Sequence, residues 1–232
     1  MIWFARRSAP FAAALACITA VAACGKDSSS PSTPGTNLTT NNIVIDSVSA
    51  AQSAIVGTTI TMGFRVMNPG VTAPVPNEAV NIIAQAGNGT VAPTSVTSDA
   101  NGHATFQWTL GTTSGINTVT LTSTGANTVN ATATALASAP TKLVRASTDS
   151  VTIVASASAS LVVRSTDQYG NPVPNIPVSW TSNSGTITPA STTTGPSGNA
   201  VVTFTTGPLP ATYSITASSP GLTPVTFTLK GS

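Results

Sequence analysis

Apolar and polar residues alternate along most of the chain after residue 43, and this period of two predicts β-strands. Within one stretch Ala104, Phe106, Trp108 and Leu110 fall on one side, while threonine and glutamine fill the positions between them. The same alternation recurs in three further groups: Ile60, Met62, Phe64 and Val66; Val80 and Ile82; Val178 and Trp180. Each such strand is expected to turn one face to a core and the other to solvent.

Short clusters of glycine, proline and asparagine separate these apolar stretches, and each cluster is typical of a turn. The clearest are Asn68-Pro69-Gly70, Asn88-Gly89, Asp99-Ala100-Asn101-Gly102, Tyr169-Gly170-Asn171-Pro172, Ser197-Gly198 and Gly207-Pro208. The 18 glycines and 17 prolines of the chain supply this punctuation. Short strands broken this regularly predict an all-β fold of the immunoglobulin-like sandwich type, with about 95 residues in each domain.

The pattern runs twice. Val173-Pro174-Asn175 leads to Gly185-Thr186-Ile187, as Val75-Pro76-Asn77 leads to Gly89-Thr90-Val91, with corresponding positions 96 to 98 residues apart. Internal similarity at this spacing indicates two related domains rather than one large one. We expect domains at residues 43–137 and 140–231, with the boundary near Ser138-Ala139-Pro140.

The first 23 residues have the three parts of a secretory signal peptide. Arg6 and Arg7 form the positive region, residues 9–23 are apolar, and small residues precede Cys24. That apolar run is shorter than the roughly 20 residues needed to span a bilayer. Val21-Ala22-Ala23-Cys24 resembles the bacterial lipobox, which implies cleavage before Cys24 and acylation of its thiol.

Two other interpretations of this segment stay open. Cys17 fits the lipobox less well, because Ala14 rather than an aliphatic residue stands three positions before it. Ala20-Val21-Ala22 matches the Ala-x-Ala pattern of ordinary signal peptidase cleavage, which would release a soluble protein. We predict lipidation at Cys24.

An acylated Cys24 would make membrane lipid the first partner of this protein. Two or three acyl chains give durable attachment, whereas a single chain binds only marginally. Gly25 rather than aspartate follows the cysteine, which by resemblance to proteobacterial sorting rules implies the outer membrane or cell surface. Residues 24–42 are rich in serine, proline, threonine and asparagine and predict a flexible linker that reaches at most ~60 Å when extended.

The second copy resembles a known family. Asp167-Gln168-Tyr169-Gly170-Asn171-Pro172-Val173-Pro174-Asn175, together with Gly195-Pro196-Ser197-Gly198-Asn199-Ala200 and Tyr213-Ser214-Ile215-Thr216-Ala217, is similar to the group 1 bacterial Ig-like domain of intimin and invasin proteins. The resemblance covers Thr141–Lys230. The first copy is a divergent member, with Asn68-Pro69-Gly70-Val71 in place of the Asp-x-Tyr-Gly-Asn loop and Asn117 in place of Tyr213.

Charge and cysteine content narrow the possible partners. Without Arg6 and Arg7, six of the eight basic residues remain against six acidic ones, so the mature chain is formally neutral. Neutrality argues against nucleic-acid binding, which needs a basic face. After removal of Cys17 with the signal, Cys24 is the only cysteine, so each domain must be held by apolar burial rather than by a disulfide.

Few residues offer chemistry. His103 is the only histidine, and a triad with Asp99 and a serine is disfavoured because Asp99 and His103 flank one turn. Asp167 with Asn171 is a weak calcium candidate, because Ca²⁺ normally takes 6–8 oxygen ligands. Turn-forming roles, with an outward His103, fit these residues better.

Trp108 and Trp180 are possible sugar-stacking platforms, but both lie in phase with the core positions. We therefore predict no catalytic residues, no metal and no cofactor. The expected protein is a monomeric, non-enzymatic envelope lipoprotein that serves adhesion or acts as a spacer, with a protein or glycan ligand left open. A periplasmic carbohydrate- or cell-wall-binding module is the alternative, and an enzyme is the third possibility.

Overall fold

A computed structural model describes residues 40–47, 49–50, 52–149, 151–208 and 210–232. The predicted signal peptide, Cys24 and most of the predicted linker lie outside these residues. The described part of the chain is all-β and contains eighteen strands. No helix in these segments is long and apolar enough to cross a membrane.

The first copy forms a sandwich of two sheets. Its strands are β1 (Asn42–Ile45), β2 (Gln52–Ile55), β3 (Thr59–Met67), β4 (Ala79–Ala84), β5 (Thr90–Ala92), β6 (Ser95–Thr97), β7 (His103–Thr109), β8 (Gly115–Thr122) and β9 (Val129–Leu136). One sheet has the order β1-β3-β7-β5 and the other the order β2-β9-β8-β4-β6. Pairing in the first copy already includes Asn41, which bridges to Ala126.

The second copy repeats this arrangement. Its strands are β10 (Lys142–Arg145), β11 (Thr152–Ile153), β12 (Ser158–Thr166), β13 (Pro177–Ser182), β14 (Thr186–Thr188), β15 (Ser191–Thr193), β16 (Asn199–Thr205), β17 (Thr212–Ser218) and β18 (Val225–Gly231). The sheets run β10-β12-β16-β14 and β11-β18-β17-β13-β15, which is the order of the first copy.

In both copies the first part of the domain divides between the two sheets. β1 pairs antiparallel with β3, while β2 crosses over and pairs parallel with β9. β10 and β11 do the same with β12 and β18. This identical topology confirms the predicted all-β fold of tandem immunoglobulin-like sandwiches.

The period-two pattern correctly predicted which faces form the core. Met62, Phe64 and Val66 of β3 are almost wholly buried, and so are the predicted apolar positions of β7. Trp108 has 0% of its surface exposed and Trp180 has 3%. Each sandwich has its own hydrophobic cluster of buried side chains.

The two cores place their largest side chains differently. The first copy has Trp108 on β7 where the second has Phe204 on β16, and the second has Trp180 on β13 where the first has Ile82 on β4. Each core therefore holds one buried tryptophan, but on opposite sheets. Because interiors are closely packed, an exchange of this kind keeps the core volume similar while the sequences diverge.

A second difference between the copies keeps one contact intact. The hydroxyl oxygen of Tyr213 accepts a hydrogen bond of 2.9 Å from the backbone N–H of Gly207. At the same place in the first copy the buried Asn117 side chain accepts one of 2.8 Å from the N–H of Gly111. The replacement of tyrosine by asparagine that marks the first copy as divergent thus preserves the anchoring of this loop.

We predict that Trp108→Ala destabilises the first sandwich by about 3–5 kcal/mol, because the change removes a fully buried ring and leaves a cavity. Gln107→Ala is the matched control, since Gln107 is exposed on the other face of the same strand and should change stability by less than about 0.5 kcal/mol. Urea unfolding followed by circular dichroism measures both. Equal effects of the two variants would contradict the assigned faces.

Candidate functional site

The predicted lipidation site, Cys24, lies outside the described residues, so acylation there stays a prediction. The other residues that the sequence singled out are Asp99, His103, Trp108, Asp167, Asn171 and Trp180. All six are described, and the structure gives each a definite set of partners.

Both tryptophans are core residues and offer no stacking face to a sugar. The indole N–H of Trp108 donates to the carbonyl of Asn88 at 2.9 Å, and that of Trp180 donates to the Thr192 hydroxyl at 2.8 Å. Trp180 also stacks against Phe227, with ring centroids 6.2 Å apart. Burial and satisfied N–H groups together leave neither ring free to receive a ligand.

His103 has a carboxylate partner that differs from the one considered in the sequence. Its Nε2 lies 2.9 Å from Asp46 Oδ2, and Asp46 Oδ1 lies 3.4 Å from the Nε of Arg65. Asp99 instead accepts hydrogen bonds from the backbone N–H groups of Asn101 and His103. Both bonds lower the pKa of Asp99 below its usual value, and the bond from His103 has the larger effect.

His103 lies on the outer face of β7, as expected, and its side chain is partly covered there by its contact with Asp46. Asp46 and His103 are 57 residues apart, and only the pairing of β3 between β1 and β7 brings them together. Gly63 is the feature of the sequence that could have indicated this contact. A Cβ at Gly63 would lie 2.6 Å from Asp46 Oδ2, and glycine inside a strand often marks such a close approach.

The carboxylate of Asp167 is saturated by hydrogen-bond donors of the protein. Oδ1 accepts from the backbone N–H groups of Tyr169 and Asn171, both at 2.9 Å. Oδ2 accepts from the Asn171 amide at 2.9 Å, from the Ser138 N–H at 3.0 Å and from the Ser138 hydroxyl at 3.2 Å. A carboxylate offers about four lone-pair positions, so none is left to face a calcium ion.

Both oxygens of Asp167 are used within the fold, and the bonds to the N–H groups of Tyr169 and Asn171 close the turn in the way expected of a turn-forming aspartate. Within the described ranges no group of three or more His, Cys, Asp and Glu side chains lies close enough to hold a metal. Burial alone would raise the pKa of Asp167, but the hydrogen bonds from Asn171, Ser138 and Tyr169 outweigh it and lower the pKa below its usual value.

Asn171 extends this network to the first sandwich, which the sequence did not predict. Its Oδ1 accepts from the backbone N–H of Ser114, and its Nδ2 donates to the carbonyl of Thr112, both at 2.8 Å. Asn171 is 6% exposed and Asp167 is 1% exposed. The turn between β12 and β13 therefore also makes contact between the domains.

The corresponding loop of the first copy is self-contained. Asn68 Oδ1 accepts from the N–H and hydroxyl of Thr72 and from the N–H of Ala73, at 2.9 to 3.1 Å. Asn68 thus stands at the position of Asp167 and closes its loop in the same way, whereas Ala73, which has no amide, stands at the position of Asn171. This difference agrees with the divergent sequence Asn68-Pro69-Gly70-Val71.

The model of the bacterial Ig-like domain (group 1) family matches residues 143–230. Among solved structures, FdeC, an Escherichia coli adhesin, is 21% identical with a TM-score of 0.57, and the match covers 82% of this chain and 62% of that one. The D0-D1 domains of intimin are 17% identical with a TM-score of 0.33, covering 80% of this chain and 96% of theirs.

Invasin, a bacterial integrin-binding protein, is 20% identical with a TM-score of 0.39, and the match covers 83% of this chain and 40% of invasin. No curated protein matches the chain. At 21% identity the likeness to FdeC concerns the fold, and this chain spans less than two thirds of that structure.

We predict that Asp167→Asn destabilises the second sandwich at pH 7, on the order of 1–3 kcal/mol, because an amide group replaces one acceptor of the network. The folded-state pKa of Asp167 is lowered, so the carboxylate contributes stability above the ordinary value of 3.8 and loses it as pH falls through the folded pKa. Urea unfolding at pH 7, 4 and 2.5 should show the difference between parent and variant shrinking only below about pH 4. A difference that stays constant across this range would contradict the charged network.

Proposed function

Because residues 143–230 are a bacterial Ig-like domain of group 1, we propose that this protein is a non-enzymatic envelope lipoprotein that displays two Ig-like domains. Acylated Cys24 would hold the chain in the outer membrane or at the cell surface, and residues 24–42 would lift the domains off the lipid. The displayed pair serves adhesion or acts as a structural spacer. Export of the chain is part of the same proposal.

One observation favours this proposal over a carbohydrate-binding module or an enzyme. The side chains that the sequence offered for ligand binding are used within the fold: both tryptophans are buried, and the oxygens of Asp167 are taken by donors. What the two domains present to solvent is therefore sheet faces and loops, which are the surfaces that Ig-like sandwiches use for contact.

The carbohydrate-binding alternative depended on exposed aromatic platforms. Trp108 and Trp180 do not provide them, so that proposal loses the feature that supported it. An enzyme would need His103 in a cleft with an acid or a serine from elsewhere in the chain. Asp46 supplies such an acid, but it also binds Arg65, and the pair lies on the outer face of the sheet.

The first sandwich also carries a surface that favours adhesion. Four apolar side chains on the outer face of its five-stranded sheet are exposed, from 48% for Ile55 to 74% for Ile116: Ile55, Ile83, Ile116 and Leu136. In the second sandwich Thr181 and Thr212 occupy the positions of Ile83 and Ile116. Exposed apolar side chains gathered on one face are typical of interaction surfaces.

Cys24→Ser should abolish acylation, because the thiol is the acceptor of the lipid. Cells that make the wild type, Cys24→Ser or Cys17→Ser are fed radiolabelled palmitate, and the protein is recovered by immunoprecipitation. Label is expected in the wild type and in Cys17→Ser, the matched control, but not in Cys24→Ser. Equal labelling of the wild type and both variants would contradict lipidation at Cys24.

If the chain is an adhesin, replacing Ile83 and Ile116 by threonine, their counterparts in the second copy, should weaken binding without loss of fold. The parent and this double variant are tested on arrays of matrix proteins, glycans and peptidoglycan. Binding should fall at least about tenfold, since two apolar contacts are lost. Thr181 and Thr212, changed to serine, provide the control in the second domain. Absence of any binding by the parent would favour the spacer role.

A further inference from the structure

We propose that Asp167 and Asn171 form an interdomain lock that fixes the second sandwich on the end of the first. The lock is defined as these two side chains with their partners Thr112, Ser114 and Ser138. It goes beyond the proposed function, because it holds whether or not Cys24 is acylated and whether or not the domains bind a ligand.

The amide of Asn171 makes contact with the first sandwich at two points. Its oxygen accepts from the N–H of Ser114 while its nitrogen donates to the carbonyl of Thr112, so one planar group is bonded to two backbone groups of the same loop. Both bonds are 2.8 Å long, and both are formed only over a narrow range of relative domain orientations. A single bond would leave the domains free to rotate about it, whereas this pair does not.

Asp167 prepares the amide for this contact. Its Oδ2 accepts from Asn171 Nδ2 at 2.9 Å, a bond made entirely within the second sandwich. The backbone of the loop is fixed by the two N–H groups bound to Oδ1. Because the rotamer of Asn171 is set before docking, little side-chain entropy remains to be lost when the domains meet.

The segment that joins the domains is fixed by the same carboxylate. Ser138, which lies between β9 and β10, donates both its N–H and its hydroxyl to Asp167 Oδ2. The linker of residues 137–141 is also held at its other end, where the N–H of Thr141 donates to the carbonyl of Thr166 at 2.9 Å. A short linker bonded at both ends leaves few residues in which a hinge could form.

The first copy shows what a loop without this role looks like. In the equivalent loop Asn68 takes the position of Asp167, and its side-chain oxygen accepts from Thr72 and Ala73. Ala73 takes the position of Asn171 and offers no side-chain amide to another domain. In this chain the Asp-x-Tyr-Gly-Asn loop therefore makes the interdomain contact through an asparagine that the loop of the first copy lacks.

The test is a distance measurement by double electron–electron resonance on the full chain. Cys17→Ser and Cys24→Ser remove the native thiols. Thr105→Cys on β7 and Val201→Cys at the corresponding position of β16 are both exposed, and each carries one spin label. The lock predicts a narrow distance distribution. Asn171→Ala should broaden it at least twofold. Asn68→Ala, which removes an asparagine side chain from the equivalent loop of the first copy, is the control and should leave the width unchanged.

Ser114→Pro provides a second variant that leaves the second sandwich untouched, because proline removes the N–H that donates to Asn171. It should also broaden the distribution, and circular dichroism establishes that each variant is folded. An unchanged width in both Asn171→Ala and Ser114→Pro, or an equally broad distribution in the parent, would overturn the proposal. Loss of fold in Asn171→Ala leaves Ser114→Pro to decide.

Discussion

Burial of one face of every long strand is the constraint on which both sandwiches depend. The described residues include no cysteine, so neither domain is held by a disulfide within this part of the chain. Stability must come from apolar side chains that meet between the two sheets, with Trp108 and Trp180 each supplying the largest area in its core. Because side chains alternate strictly, a shift of one residue in register would expose the whole core, and this makes the pairing specific.

Once the apolar face is buried, the few charged groups are left to order the ends of the domains. Asp46 holds His103 and Arg65 at one place, and Asp167 orders a loop and a linker at another. Each carboxylate accepts hydrogen bonds from several donors. A few acidic residues are therefore enough to order several groups in domains that contain little charge. The same bonds occupy both oxygens of Asp167 with donors of the protein.

The sequence predicted what depends on local pattern and missed what depends on pairing between distant strands. The faces of β3, β7 and β13 follow from alternation alone, and the turns follow from glycine, proline and asparagine. The contact of Asp46 with His103 requires knowing that β3 lies between β1 and β7. The contacts of Asn171 with Thr112 and Ser114 require knowing where two domains meet, although the residue itself was singled out as part of a turn.

The two copies also show which differences in sequence keep a contact and which remove it. Asn117 replaces Tyr213 but still accepts a bond from the equivalent glycine, and the exchange of tryptophan positions keeps each core filled. The loop at Asn68 differs in kind, because Ala73 stands where Asn171 does and offers no side-chain amide to a neighbouring domain. Either loop is compatible with a stable sandwich. In the second copy the Asp167–Asn171 pair both closes its own turn and joins the domains through Thr112 and Ser114, so one short sequence serves the fold of a domain and its connection to the next.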